Sequence, residues 1–124
     1  MRTILLGMAA AGLMLLQACA PVTRVIDTPK DGARIDLNIE QGMQVRWSNL
    51  SPDQGSWVLE SEPKGAIALV DKTEQPAAGG GIALDIFDFK ATDKGTERLT
   101  FVYRHKDGTP SSAEERISVD LAVG

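Results

Sequence analysis

Two apolar runs joined by one polar turn constrain this chain more than any other feature. They fill residues 79–103, GGGIALDIFDFKATDKGTERLTFVY. In the second run Leu99, Phe101 and Tyr103 alternate with Arg98, Thr100 and Arg104, a period of two that lays one face of a strand on a core. The first run, residues 82–91, breaks its own rhythm. Ile82, Leu84 and Ile86 share one phase, while Phe87 and Phe89 fall on the other. Such a slip predicts either a β-bulge near Ile86 and Phe87 or a strand buried on both faces. Residues 92–96, TDKGT, place a glycine where a hairpin would turn. The result is a core hairpin with Gly79, Gly80 and Gly81 at its mouth.

The same alternation recurs along the chain. Ile35, Leu37 and Ile39 predict a strand over residues 33–40, Gln41-Gly42 a tight turn, and Met43, Val45 and Trp47 a second strand. Residues 57–61 and 66–71 supply two more strands, and Ile117, Val119, Leu121 and Val123 the last. Trp47 and Trp57 are expected in core or rim packing. No segment after the first residues carries a helical stripe, and the chain has no internal repeat. Seven short strands separated by turn signals predict an all-β, immunoglobulin-like β-sandwich over residues 32–124.

Counting connections adds a functional expectation. Each strand crosses a sandwich once, so successive connections emerge at alternate ends. The connections at residues 41–42, 62–65 and 92–96 are short, and those at 49–56, 72–81 and 105–114 are long. Parity sets all three long loops at one end, a common way to build a binding surface. Tolerance of insertions is the alternative explanation for long loops.

The first residues are expected outside the domain. Arg2 is followed by an apolar run from Ile4 to Leu16 that is short for a membrane span and has the plan of a secretory signal, residues 1–18. Leu16-Gln17-Ala18-Cys19 closes that run and resembles the bacterial lipobox, which implies lipid attachment at Cys19. Residues 19–31, with two prolines, are then a tether between lipid and domain. Ala20 follows the cysteine in place of the aspartate associated with inner-membrane retention, so the expectation is an outer-membrane lipoprotein facing the periplasm. Loss of Arg2 with the signal takes the net charge from −4 to −5, which excludes a basic footprint for nucleic acid. Cys19 is the only cysteine, so no internal disulfide can form and about 100 residues must fold on core burial alone.

At the loops the sequence resembles the chagasin-like family of cysteine-protease inhibitors. The likeness runs from about Gly32 to Val123 and is firmest in GGGIALDIFDFKATDKGTERLTFVYR, which is similar to the family's Gly-Gly, Phe-x-Phe-x-Ala, Gly, Leu-x-Phe-x-Tyr succession. The resemblance implies an immunoglobulin-like sandwich whose three loops wedge into the cleft of a papain-like protease. By this likeness Pro52, Asp53, Gln54, Gly55 and Ser56 form the first contact loop, Gly79, Gly80 and Gly81 the second, and Arg104 and His105 belong to the third. The first loop keeps the family's proline, glycine and following Trp57 but not its two threonines and tyrosine. Ala78 stands where the second loop's first glycine is expected, and His105-Lys106-Asp107 replaces Arg-Pro-Trp in the third. Asp53 would carry a charge into a cleft, which costs free energy unless it is paired.

Catalytic chemistry is sparse. His105 is the only histidine, Asp85 and Asp88 look like solvated strand positions, and the Gly79 triplet precedes a strand instead of the helix a phosphate loop needs. His105 is expected as a solvated loop residue. The expectation is a monomeric, non-enzymatic protein with no metal or cofactor, partnered by a papain-like protease and, through its lipid, by a membrane. An envelope interaction or structural module on the same scaffold is the second reading.

Overall fold

The structure, a computed structural model, describes residues 22–124. The expected signal, Cys19 and the first residues of the tether lie outside them. Eight strands follow in order: β1 (Arg24–Asp27), β2 (Ala33–Leu37), β3 (Gly42–Asn49), β4 (Gly55–Leu59), β5 (Ile67–Gln75), β6 (Ala83–Ala91), β7 (Gly95–His105) and β8 (Arg116–Val123). One 3-10 turn, Ala113–Glu115, precedes β8. The strands form two four-stranded sheets, ordered β1-β3-β6-β5 and β2-β8-β7-β4. This is the immunoglobulin-like sandwich the alternation predicts, with one strand more than expected.

The core is where the period-two phases of the two sheets meet. Met43, Val45 and Trp47 from β3 face Leu99 and Phe101 from β7, with Phe87 and Phe89 from β6 and Val119, Leu121 and Val123 from β8. Phe101 is the hub. Its ring lies 5.2 Å from both Trp47 and Phe87, the latter edge-on, which is the geometry aromatic quadrupoles favour. Trp57 stacks on Trp47 at 4.3 Å and 18°, so both tryptophans are packing residues, as expected.

Several local expectations need correction. Residues 24–27, placed in a tether, form β1, which pairs in parallel with β3 from Arg24↔Met43 to Asp27↔Arg46. β6 carries no bulge: it pairs without interruption with β3 from Ala83↔Asn49 to Lys90↔Gly42. The irregularity lies on its other neighbour, β5, between Leu69 and Asp71. Lys72, Thr73, Glu74 and Gln75 extend β5 where a loop was expected, and Arg104 and His105 end β7. Asp85 is not solvated; it sits on the inner face of β6 with 2% exposure. Asp88 is on the opposite phase and accepts a hydrogen bond from Gln44 at 2.9 Å.

The connections separate as parity predicts. Residues 50–54, 76–82 and 106–115 cap one end, where Lys106 N–H donates to Gln54 O at 2.8 Å. Residues 38–41, 60–66 and 92–94 close the other. There Thr92 Oγ1 donates to Gly65 O at 2.7 Å, and Ala91 N–H donates to Gln41 O at 2.9 Å.

Candidate functional site

The first loop, residues 50–54, is held from below by a buried polar cluster. Asn49 ends β3 on its core phase with 4% exposure, and its Nδ2 donates to Gly55 O at 3.0 Å and to Asp85 Oδ2 at 3.2 Å. Asp85 Oδ2 also accepts from Trp57 N–H at 2.9 Å, which ties β6 across to β4. Asn49 Oδ1 receives Ser51 N–H at 3.1 Å, an Asx turn that starts the loop. Tyr103 Oη reaches up from β7 and donates to Ser51 O at 2.8 Å. Burial first, then the negative fields of Asp85 and Glu115, push the Tyr103 hydroxyl above its ordinary value and keep it a neutral donor. Buried polar groups cost little when each finds a partner, so this cluster fixes the loop's shape.

The second loop, residues 76–82, is built by backbone alone. Gly81 N–H donates to Ala78 O at 2.9 Å, closing a tight turn over Gly79 and Gly80. Those two residues have φ of 57° and 82°, positive at both central positions as in a type I′ hairpin turn. A Cβ at either would meet nothing within 4 Å, so the glycines leave peptide backbone open to an approaching surface.

The third loop is clasped to the sandwich by His105 and Glu115. His105 Nε2 lies 2.9 Å from Glu115 Oε2, both side chains are largely covered, and the imidazole meets the Tyr103 ring edge-on at 5.2 Å. His105 is therefore a structural residue at the end of β7, not the solvated loop residue expected. Its hydrogen bond, followed by that from Ser112 N–H at 2.9 Å, holds the Glu115 carboxyl below the usual carboxylate range. Ser111 Oγ donates to Tyr103 O at 2.6 Å and pins the loop's middle.

The sequence-predicted residues divide. Pro52, Asp53 and Gln54 are exposed on the first loop, and Gly79, Gly80 and Gly81 on the second. A hollow of about 220 Å³ runs between all three loops and is lined by Pro52, Ser56, Pro76 and Lys106. Asp53 and Gln54 meet His105, Lys106 and Asp107 in a second hollow. Gly55 does not belong to the exposed surface. It is buried at the start of β4, where a Cβ would stand 2.5 Å from Arg104 O and 2.9 Å from the Tyr103 ring. Close packing inside the protein, not access for a partner, demands glycine there. Arg104 is exposed but alternates with Tyr103 and His105, which turns it to the other face of β7 and away from the hollows.

Two prominent residues were missed by sequence reasoning. Leu50 is 81% exposed and Ile82 is 55% exposed, and they flank a small hollow with Pro52, Ala77 and Gly81. A leucine in the otherwise polar 49–56 stretch was the available signal for the first; Ile82 was hidden by its place at the head of an apolar run. Together the loops present two apolar knobs, a rigid proline and open peptide groups. Such a surface can fill and occlude a cleft. Among the described residues, no group of three or more histidines, cysteines or carboxylates is placed to hold a metal ion.

Comparison with solved structures finds this fold in protease inhibitors. The cysteine protease inhibitor EhICP2 from Entamoeba histolytica is similar with a TM-score of 0.68 at 10% identity, over 83% of this chain and 96% of that one. PbICP-C, solved in complex with falcipain-2, gives 0.57 at 12% identity, over 81% and 97% of the two chains. Amebosin gives 0.56 at 16% identity, over 85% and 100%. Likeness at these identities is one of fold, and it is the fold that the resemblance to chagasin-like inhibitors implied. No protein-family model and no curated protein matches the sequence.

Proposed function

We propose that this protein inhibits papain-like cysteine proteases by wedging the loop end of its sandwich into the active-site cleft. The carrying observation is the collection of three long loops at one end, with Leu50 and Ile82 projecting from otherwise polar and glycine-rich backbone. The fold shared with EhICP2 and with PbICP-C, the latter solved with falcipain-2, supports the reading. Inhibition of this kind makes no covalent bond. The two knobs leave water for apolar walls, the Gly79-Gly80 peptides come within hydrogen-bonding range of the enzyme, and the pinned first loop avoids an ordering cost on binding. Asp53 tunes this contact, because a carboxylate entering a cleft requires a cationic or donor-rich partner.

The test is a panel of papain-like proteases titrated with the protein. Leu50→Asp together with Ile82→Asp should raise the inhibition constant at least about tenfold, since roughly 1.4 kcal/mol suffices for that factor. Lys94→Ala, at the opposite end, should leave it unchanged. No inhibition of any panel member by the wild type would refute the proposal and leave a non-inhibitory envelope module.

A second part of the proposal concerns location. The Leu16-Gln17-Ala18-Cys19 motif supports lipid attachment at Cys19 and a place on the outer membrane, facing the periplasm. Cys19→Ser should release the protein from the membrane fraction; unchanged membrane binding would sink this part alone.

A further inference from the structure

The end of the sandwich opposite the loops has its own structural peculiarity: the chain enters the fold there and is fastened as it enters. Gln41 Nε2 donates to Val22 O at 2.9 Å. Thr23 packs so closely on the first residue of β3 that a Cβ on Gly42 would sit 3.0 Å from Thr23 Oγ1. β1 then runs parallel to β3, starting level with Met43. At its far end the Asp27 carboxylate takes two hydrogen bonds from Arg46, at 2.7 and 2.9 Å, and Thr28 N–H donates to Arg46 O at 2.8 Å. Val22 and Thr23 are therefore fastened to the fold, and the strand that follows them from Arg24 points from the short-turn end toward the loops.

This direction matters if Cys19 carries lipid, and the inference rests on that reading. Only Ala20 and Pro21 separate Cys19 from Val22. Three Cα–Cα steps span at most about 11 Å. The eight residues of β3 carry the sandwich from that end to the loop end, a rise of about 25 Å at the usual strand spacing. The tether is too short to let the molecule turn over. Surface charge adds little to this geometry, because exposed Lys64 and Lys94 stand among exposed Glu62 and Asp93. Tether length does the orienting.

We propose that the short-turn end, comprising Val22 and the turns at residues 38–41, 60–66 and 92–94, is the face this protein turns to a lipid bilayer. The three loops then stand beyond the headgroup layer and meet a partner arriving through the aqueous phase.

Depth-dependent quenching tests the orientation on the full chain, isolated from bacterial membranes and reconstituted into phosphatidylethanolamine–phosphatidylglycerol vesicles. Cys19 is occupied by its thioether, so a single new thiol can be labelled, at Lys94→Cys near the short turns or at Asp53→Cys on the first loop. A headgroup spin label in the vesicles should quench the fluorophore at position 94 several-fold more than that at position 53. A linker of about 12 Gly/Ser residues between Pro21 and Val22, with an r.m.s. reach of about 20 Å, should erase the difference. Equal quenching without the linker, or stronger quenching at position 53, overturns the orientation. Flotation of the labelled protein with the vesicles is scored separately. Failure to float refutes the lipid reading itself and takes this inference with it, whereas floating with equal quenching refutes the orientation alone.

Discussion

The first and second loops share one end of the molecule, and glycine stands at the edge of one and within the other, yet they are built on opposite principles. Residues 50–54 stand on Asn49, Asp85 and Tyr103, a network in which each named group has a partner on another strand or on the loop itself. Residues 76–82 stand on a single backbone hydrogen bond across Gly79 and Gly80. Gly55 has no room for a side chain, whereas Gly79 and Gly80 have room but a backbone that side chains rarely accept. Glycine in or beside a loop can therefore report internal packing or outward access, and the two predict different consequences on substitution.

The sharpest way to break this contrast is Gly55→Val. Its Cβ would be forced to within 2.5 Å of a backbone carbonyl that cannot swing aside as a side chain would. We expect a loss of about 3 kcal/mol or more in urea unfolding, at the upper end of overpacking costs. A loss below about 0.5 kcal/mol, the range of ordinary surface changes, would return Gly55 to the exposed loop.

Next in size is Asp85→Ala, which removes the acceptor shared by Trp57 N–H and Asn49 Nδ2. Stranding buried donors costs about 1–3 kcal/mol. The loss should be accompanied by faster exchange of the Trp57 and Ser51 amides, because the network that carries the first loop is the part removed. Full stability would mean that the loop holds its shape without the cluster.

These two residues also show where the sequence was legible. β3 and β7 were visible because every core position of their central segments is apolar or aromatic, from Met43 to Trp47 and from Leu99 to Tyr103. β6 was misread because its core phase holds Asp85 and two alanines, while Leu84 and Ile86 lie half-buried on the outer phase. A buried polar residue that accepts from Asn49 and Trp57 had been inserted into the core pattern, and it looked like a slip in register. β1 left almost no trace, since four largely exposed residues with Arg24 and Asp27 at its ends are what an edge strand uses against unwanted pairing. Lys72 to Gln75 were illegible for a related reason: β5 is an edge, and that segment is exposed on both phases. Grouping of the loops was accessible through parity alone, but the outward aim of Leu50 depended on an Asx turn whose buried partners come from three other strands.

A smaller effect belongs to Gly80→Ala. Nothing obstructs the new methyl group, so the cost is that of holding a φ of 82° in a residue with a Cβ, about 1 kcal/mol. Inhibition of a papain-like protease should suffer more than stability does, because the methyl group intrudes on the proposed contact surface. Gly55→Val should show the reverse balance when binding is measured on the fraction that remains folded. Equal binding losses per unit of lost stability at the two positions would erase the distinction between the loops.

The smallest effect concerns the third loop and is read through pH. Glu115 is held below its ordinary value of 4.5, first by the His105 hydrogen bond and then by Ser112 N–H. A carboxyl with a lowered folded value stabilises the folded loop above its unfolded value, and that contribution disappears as pH falls through the folded value. The contribution of Glu115 to the clasp should therefore be complete above about pH 4.5 and weaken only below it. Amide protection factors, corrected for the intrinsic pH dependence of exchange, should fall there for Ser112 and Glu115. The second loop, Pro-Ala-Ala-Gly-Gly-Gly-Ile over residues 76–82, contains no titratable side chain and should show no local transition in that window. Glu115→Gln keeps the shape and removes the titration, so its loop should start with lower protection and change little with acid. A wild-type acid transition that persists in Glu115→Gln would assign the clasp to another group.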